Sequence, residues 1–339
     1  MPDPPESAPS RASFTDKHVW RGFALAITYG LLLRVMMVYA PPVLAVMSLG
    51  YIFVAPCVIG YLAVQAVPNP TTLQAVFLLP WPPVFAATLV IAFAGWEGAI
   101  CIIMALPVLL VGASLGGTVA RMHTQRRLSA LLTVAVLPFA VGAAENQVAA
   151  PYNLHTVDNA IDIAAPQATV WREIVSVREI QPSELPTHPL FLHLGFPRPL
   201  SAEIDREAVG GIRKARFAGG VLFLETVTAL EPERLLSFRI AAQTDQIPPG
   251  TLDDHVTIGG PYFDVLQGTY RLEPLADGRV RLHLQSQLRV STHFNWYASL
   301  WADAVMASIQ RNILAVEKAR VEAVVLARAV ASSTSCTRD

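Results

Sequence analysis

From Gly22 to Ala120 the chain runs for 99 residues with Arg34 and Glu97 as its sole Arg, Lys, Asp or Glu. A water-soluble fold of that size covers its surface with charged side chains, so the run points to helices that cross a bilayer. A spanning helix needs about 20 apolar residues to cover about 30 Å of hydrocarbon. Five segments fit: Gly22–Ala40, Val43–Val67, Leu73–Gly95, Gly98–Ala120 and Ser129–Ala144. Pro41-Pro42 breaks the chain between the first two, and Pro80, Pro82 and Pro83 interrupt the third. Trp20, Tyr39, Trp81 and Trp96 fall near segment ends or at that interruption, where an aromatic belt places them. The glycines of the stretch GASLGG, Gly112 to Gly117, lie inside the fourth segment and read as helix packing rather than as a phosphate loop.

The charge returns abruptly. Tyr152 to Arg328 holds 17 basic and 20 acidic residues, so a water-soluble domain begins near position 150. The expected organisation is a disordered leader over 1–18, a transmembrane helical domain over 19–148, a soluble domain over 152–328 and a flexible tail over 329–339. Over the whole chain 15% of residues are charged, against about 25% in soluble proteins, and the net charge is −1. A near-neutral chain lacks the basic face that nucleic-acid binding requires, so no nucleic acid is expected as a partner. Three cysteines make no disulfide framework.

Orientation follows from the basic residues. Arg11, Lys17 and Arg21 precede the first segment, and Arg121, Arg126 and Arg127 follow the fourth. Five crossings put both groups on one side, which the positive-inside rule makes cytoplasmic. The expected location is therefore the cell (inner) membrane, multi-pass, with the soluble domain outside the cytoplasm. Arg34 is expected to snorkel toward a helix end, and Glu97 to sit in a short outer loop.

The soluble half alternates strand and turn signals. Leu154–Ile163 reads as a strand and Gln167–Val177 as a helix, with Val170, Trp171, Ile174 and Val175 on one side. Four more strands follow between Ala202 and Ala241, two of them joined through Gly219-Gly220. Phe263–Glu273 and Arg279–Val290 form a hairpin across Asp277-Gly278. In its second strand Val280, Leu282, Leu284, Leu288 and Val290 alternate with polar residues, as in a sheet covered on one face. A long helix from Asn295 to Ala327 closes the domain. Its apolar stripe is read as Tyr297, Leu300, Trp301, Ala304, Val305, Ser308, Ile309, Ile313 and Val316, with Glu317 on the opposite, wet face.

This order, with IDIAAPQATVWREIV (Ile161–Val175) after the first strand and one long C-terminal helix, resembles the SRPBCC superfamily. That superfamily has the START/Bet v 1-like helix-grip fold and includes polyketide cyclases and lipid-transport proteins. The Ala165-Pro166 turn with Val170 and Trp171 carries the likeness. The stretch from Gly260 to Leu314 looks like members with N-terminal spanning helices. The resemblance implies an α+β helix-grip domain, with a curved antiparallel sheet around the helix and a cavity for a hydrophobic molecule between them.

The residues themselves give few chemical signals. No Ser-His-Asp, Cys-His, Cys-x-x-Cys or phosphate-loop pattern stands out. Asp253, Asp254 and His255 share a loop but lack the geometry of a metal site, so neither a metal nor a cofactor is expected. Glu225, within an otherwise apolar strand, and His255 are the weak catalytic candidates. Glu225 faces either the cavity or water. Tyr270, Leu284, Ser286, Trp301 and Ser308 are the expected lining of a ligand pocket. The leading functional expectation is a membrane-anchored binding protein for membrane lipids or another hydrophobic small molecule. The alternatives are a cyclase- or dehydratase-type enzyme on a polyketide- or isoprenoid-like substrate, and a non-catalytic membrane sensor or assembly factor.

Overall fold

The computed structural model of the chain describes residues 15–39, 45–123, 128–185, 197–243 and 258–335. Two compact units result, Met1–Ala150 and Pro151–Asp339. Pro41-Pro42, Arg126, Arg127 and the Asp253-Asp254-His255 loop lie outside the described residues.

The first unit is helical. It contains α1 (Lys17–Tyr39), α2 (Ala55–Gln65), α3 (Trp81–Phe93), α4 (Ala99–Met122) and α5 (Leu128–Glu145). Short π-helical turns, Gly50–Val54 and Gln74–Leu78, lead into α2 and α3. Three stretches are long and apolar enough to cross a membrane: Lys17–Met37, Gln74–Phe93 and Ala99–Met122. The sequence reading expected five. The other two apolar helical stretches, Gly50–Gln65 and Leu131–Glu145, are shorter. In the second expected segment, residues 45–48 form a turn ahead of the helix. Ser48 donates its hydroxyl to the Ala45 carbonyl at 2.6 Å, and the Glu145 carboxylate accepts from the Leu49 N–H at 2.7 Å. That carboxylate takes up a backbone N–H at the helix start, and the described helical path begins there; Val43 itself lies outside the described residues.

The proline-rich break in the third segment is held from α4. The Trp81 indole N–H donates to the Ser114 hydroxyl at 3.0 Å, and Ser114 donates on to the Val76 carbonyl at 2.7 Å. Pro82 and Pro83 sit in the first turn of α3, where a missing N–H costs nothing. Arg34 does not snorkel. Its Nε lies 3.0 Å from a Glu97 carboxylate oxygen, and its Nη2 donates to the Trp96 carbonyl at 2.6 Å. Both side chains are buried, so each charge is answered inside the helical unit.

The second unit has the helix-grip fold. Its strands are β1 (Tyr152–Ile163), β2 (Pro199–Ile204), β3 (Ile212–Phe217), β4 (Leu222–Glu231), β5 (Leu235–Ala242), β6 (Phe263–Pro274) and β7 (Val280–Ser291). They form one antiparallel sheet in the order β1-β7-β6-β5-β4-β3-β2. Register shifts between Val227 and Ala229 in β4, and between Val265 and Gln267 in β6, bend the sheet as bulges do. Gly219 and Gly220 both take positive φ, 73° and 81°, which lets the chain reverse tightly between β3 and β4.

Helix α6 (Gln167–Val175) and helix α7 (Asn295–Ser335) complete the unit. α7 runs past Ala327, so most of the expected tail is helical. The core forms where α6, α7 and the sheet's inner face meet. Val170, Trp171, Ile174, Leu236, Leu282, Leu284, Leu314 and Val321 are all buried there.

The buried line of α7 differs from the stripe read in the sequence. Leu300 and Ala304 are exposed, and Trp301 is half-buried with its ring 6.5 Å from that of Tyr297. The buried residues of the helix include Ser299, Met306, Gln310, Asn312, Leu314, Val316, Glu317 and Val321. Ile309, Ile313 and Val316 of the expected stripe do face inward, but the stripe is rotated before them, and Glu317, expected on the wet face, is buried. The aromatic residues at the start of the helix lie on one side, and polar groups with partners on the strands are buried on the other. Ser299 bonds His155 at 2.8 Å, and the Gln310 side chain donates to the Val157 carbonyl and the Ser286 hydroxyl at 3.0 and 2.8 Å.

Candidate functional site

Bending the sheet around α7 leaves a cavity of about 160 Å³ between them. An apolar cavity of about 150 Å³ holds a benzene ring, so this one accepts a ring-sized apolar group. Its walls are chiefly aliphatic and aromatic. Ala215, Phe217, Phe223 and Phe238 come from the sheet, and Met306, Ile309 and Ile313 from α7.

Of the residues expected to line a pocket, Tyr270, Leu284 and Ser286 lie on this wall. Tyr270 and Leu284 are direct cross-strand partners of β6 and β7, and Ser286 pairs with Gly268. Trp301 and Ser308 are not among the lining residues, because both fall on the rotated side of α7. Glu225 faces inward, sharing the side of β4 that buries Val227. It is nevertheless not a free acid. Arg213 stands opposite it in the β3–β4 register, and its Nη1 donates to the Glu225 Oε2. Arg213 also donates to the carbonyls of Ile174 and Val175, both at 3.3 Å. Its guanidinium lies 5.5 and 5.9 Å from the ring centroids of Phe238 and Tyr270. Burial is the largest influence and opposes the Arg213 charge, but Glu225, Tyr270 and Glu317 together outweigh it and hold the guanidinium protonated. Burial pushes the Glu225 carboxyl up while Arg213 pulls it back. The pair is an internal salt, occupied with itself.

Glu317 is the residue that sequence reading missed. It is 2% exposed, lines the cavity, and its Oε2 has no hydrogen-bond partner. Burial pushes its carboxyl up to about 8, against the pull of Arg213. Burial likewise raises the Tyr270 phenol, with Arg213 opposing. The floor of the cavity thus carries an ion pair of zero net charge, a neutral phenol and a carboxyl that holds its proton at neutral pH. A signal for Glu317 did exist. It stands seven residues, or two helical turns, after Gln310 and four after Ile313, on the face that includes Met306.

Among the described residues no group of three or more His, Cys, Asp or Glu is placed to hold a metal. His283 lies on the outer face of β7, 3.3 Å from Glu273. His255, His188 and His193 lie outside the described residues.

No family model and no curated protein matches the chain. Solved structures do. The Zhui aromatase/cyclase from a Streptomyces species matches at 17% identity and a TM-score of 0.32, over 51% of this chain and 96% of its own. Norcoclaurine synthase from Thalictrum flavum matches at 15% identity and a TM-score of 0.30, over 50% of this chain and 88% of its own.

Proposed function

We propose that this chain is a multi-pass protein of the cell (inner) membrane whose helix-grip unit, outside the cytoplasm, holds a lipid-like hydrophobic molecule between α7 and the sheet. The observation that carries the reading is the apolar cavity of about 160 Å³, in a chain whose other unit is built of apolar helices. A concave, largely apolar space with few polar groups is the usual form of a small-molecule site. Anchorage in a bilayer gives such a site a local supply of apolar ligands. Native mass spectrometry of the detergent-extracted chain is expected to show an adduct of small-molecule mass. Ala215→Phe should remove it. Ala215 is buried on the cavity wall, so a phenyl ring there occupies the ligand's space while the sheet keeps its register. An adduct retained by Ala215→Phe places the ligand elsewhere.

The side of the membrane rests on charge. With three crossings, Arg121 would lie on the side opposite Lys17 and Arg21, in breach of the positive-inside rule. With five, the two groups share one side. The shorter helical stretches, Gly50–Gln65 and Leu128–Glu145, are roughly 24 and 27 Å long at 1.5 Å per residue. Both come close to the hydrocarbon thickness, and a bilayer thins to meet such a deficit. A reporter fused after Asp339 is expected to be active only outside the cytoplasm. Cytoplasmic activity would remove the five-crossing topology.

Glu317 gives a specific reason to keep an enzymatic reading beside binding. A protonated carboxyl in an apolar cavity is a competent general acid, and cyclase or dehydratase chemistry on a hydrophobic substrate requires one. Under that reading the mass of an added substrate changes on incubation with the chain, and Glu317→Gln abolishes the change.

A further inference from the structure

We propose that Glu317 selects the occupant of this cavity, an otherwise apolar, uncharged molecule bearing one carbonyl or hydroxyl group that hydrogen-bonds to the Glu317 carboxyl. The inference rests on the binding role just proposed and adds the chemistry of the ligand's polar end. It begins from an unmet hydrogen bond. A buried carboxyl oxygen without a partner costs free energy, and the Glu317 Oε2 is such an atom on the cavity wall.

Its polar neighbours are already engaged. Arg213 donates to Glu225 and to two carbonyl oxygens. Gln310 donates to Val157 and Ser286 and accepts from Asn159 at 2.6 Å. A ligand head entering the Glu317 end of the cavity therefore meets a Glu317 oxygen that no protein group occupies.

The charge state of that group decides what it takes. Glu317 is faced by Arg213 from β3, Tyr270 from β6, Glu173 from α6, Glu184 from the turn after α6, and Arg320 from α7 itself. Burial is the largest influence and favours the proton; Glu173 and Glu184 act the same way, against Arg213 and Arg320. Arg320 is partly occupied, donating to the Glu184 carboxylate at 2.8 Å and to the carbonyls of Arg178 and Glu179 at 2.6 Å each. A neutral carboxyl donates to a carbonyl oxygen and accepts from a hydroxyl. It does not balance a cationic amine. An anionic head would find Arg213 already paired with Glu225. An uncharged head is the remaining match.

The test uses the full detergent-solubilised chain with acetophenone and ethylbenzene, which share a skeleton and differ in one carbonyl. The quantity read is the ratio of their affinities, ketone over hydrocarbon, so that partition into the micelle cancels between variants. Glu317→Leu is expected to lower that ratio roughly tenfold, one hydrogen bond of about 1.4 kcal/mol. Glu317→Gln, which keeps a donor and an acceptor but cannot ionise, should hold it. In the wild type the ratio should fall as pH rises from 6 to 10, because the carboxyl loses its donor proton near pH 8. Glu317→Gln should be flat over that range. Ethylbenzene binding by Glu317→Leu attests that the cavity is intact. An unchanged ratio in Glu317→Leu, or a ratio that rises with pH, overturns the inference and leaves the binding role standing. Failure of both probes with the wild type overturns the binding role and the inference with it.

Discussion

Arg213→Met is expected to destabilise the helix-grip unit by about 3–5 kcal/mol, the cost of breaking a buried ion pair from one side. The reason is what remains. Arg213 is 3% exposed and Glu225 is 7% exposed, so removing the guanidinium leaves a buried carboxylate on the cavity wall with its principal hydrogen-bond donor gone. It also strips the carbonyls of Ile174 and Val175, at the end of α6, of a donor each. In the variant Glu225 would keep its proton to higher pH than an ordinary carboxyl. The folded state then binds more protons than the unfolded one, and stability falls as pH rises above the ordinary carboxylate range. Removing both charges tests whether the pair or the shape matters. Arg213→Met with Glu225→Leu should recover most of the loss, since apolar residues of similar volume replace buried ion pairs at little cost. Chemical denaturation of the detergent-solubilised chain, followed by the near-ultraviolet circular dichroism and tryptophan fluorescence of the whole chain, reads both. A loss under about 1 kcal/mol for Arg213→Met would show that Glu225 is not committed to this pair.

The pair also shows where sequence reading ends. Glu225 shares its parity with Val221, Phe223 and Val227, and parity alone leaves open which face of the strand is wet. What decides it is the β3–β4 register, which sets Arg213 opposite Glu225. A buried charge is tolerable only where its partner is buried with it, and partners on different strands are fixed by pairing, not by spacing. The strands themselves were legible because alternation is a local property. Val280 to Val290 declares its inner face without reference to any neighbour.

Helix α7 makes the same point by failure. Its first half carries Trp296, Tyr297, Leu300 and Trp301, and ordinary burial preferences put that side inward. The helix instead buries Ser299, Gln310 and Glu317. Ser299 and Gln310 have partners on β1 and β7, strands more than a hundred and about twenty residues earlier in the chain. Glu317 faces the cavity. The candidate site was legible in its walls, where Tyr270, Leu284 and Ser286 follow strand alternation, and illegible on its floor. Polar residues inside a core are placed by tertiary partners, and a rule that sorts residues by hydrophobicity sends them outward.

The helical unit yields the sharpest expectation, because there the constraint is backbone against backbone. Gly116→Ala should cost about 3 kcal/mol or more and prevent α2 and α4 from closing. A Cβ on Gly116 would lie 1.7 Å from the Cys57 carbonyl oxygen and 2.6 Å from its carbonyl carbon. Across the same interface a Cβ on Gly60 would lie 1.9 Å from the Ala113 carbonyl oxygen. No rotamer change relieves contacts of this kind, so the helices must move apart, and overpacking of even flexible neighbours costs 1–3 kcal/mol. Between apolar helices such close approach is itself the source of stability, since lipid competes equally for apolar side chains. Gly30→Ala is the control. Its added methyl would meet the Ile59 side-chain end at 3.2 Å and the Ala87 methyl at 3.7 Å, contacts that a small side-chain shift accommodates. Denaturation of the purified chain in dodecyl sulfate should therefore leave Gly30→Ala close to wild type and shift Gly116→Ala to much lower denaturant. Equal stability of the two variants would mean that α2 and α4 do not pack through these glycines.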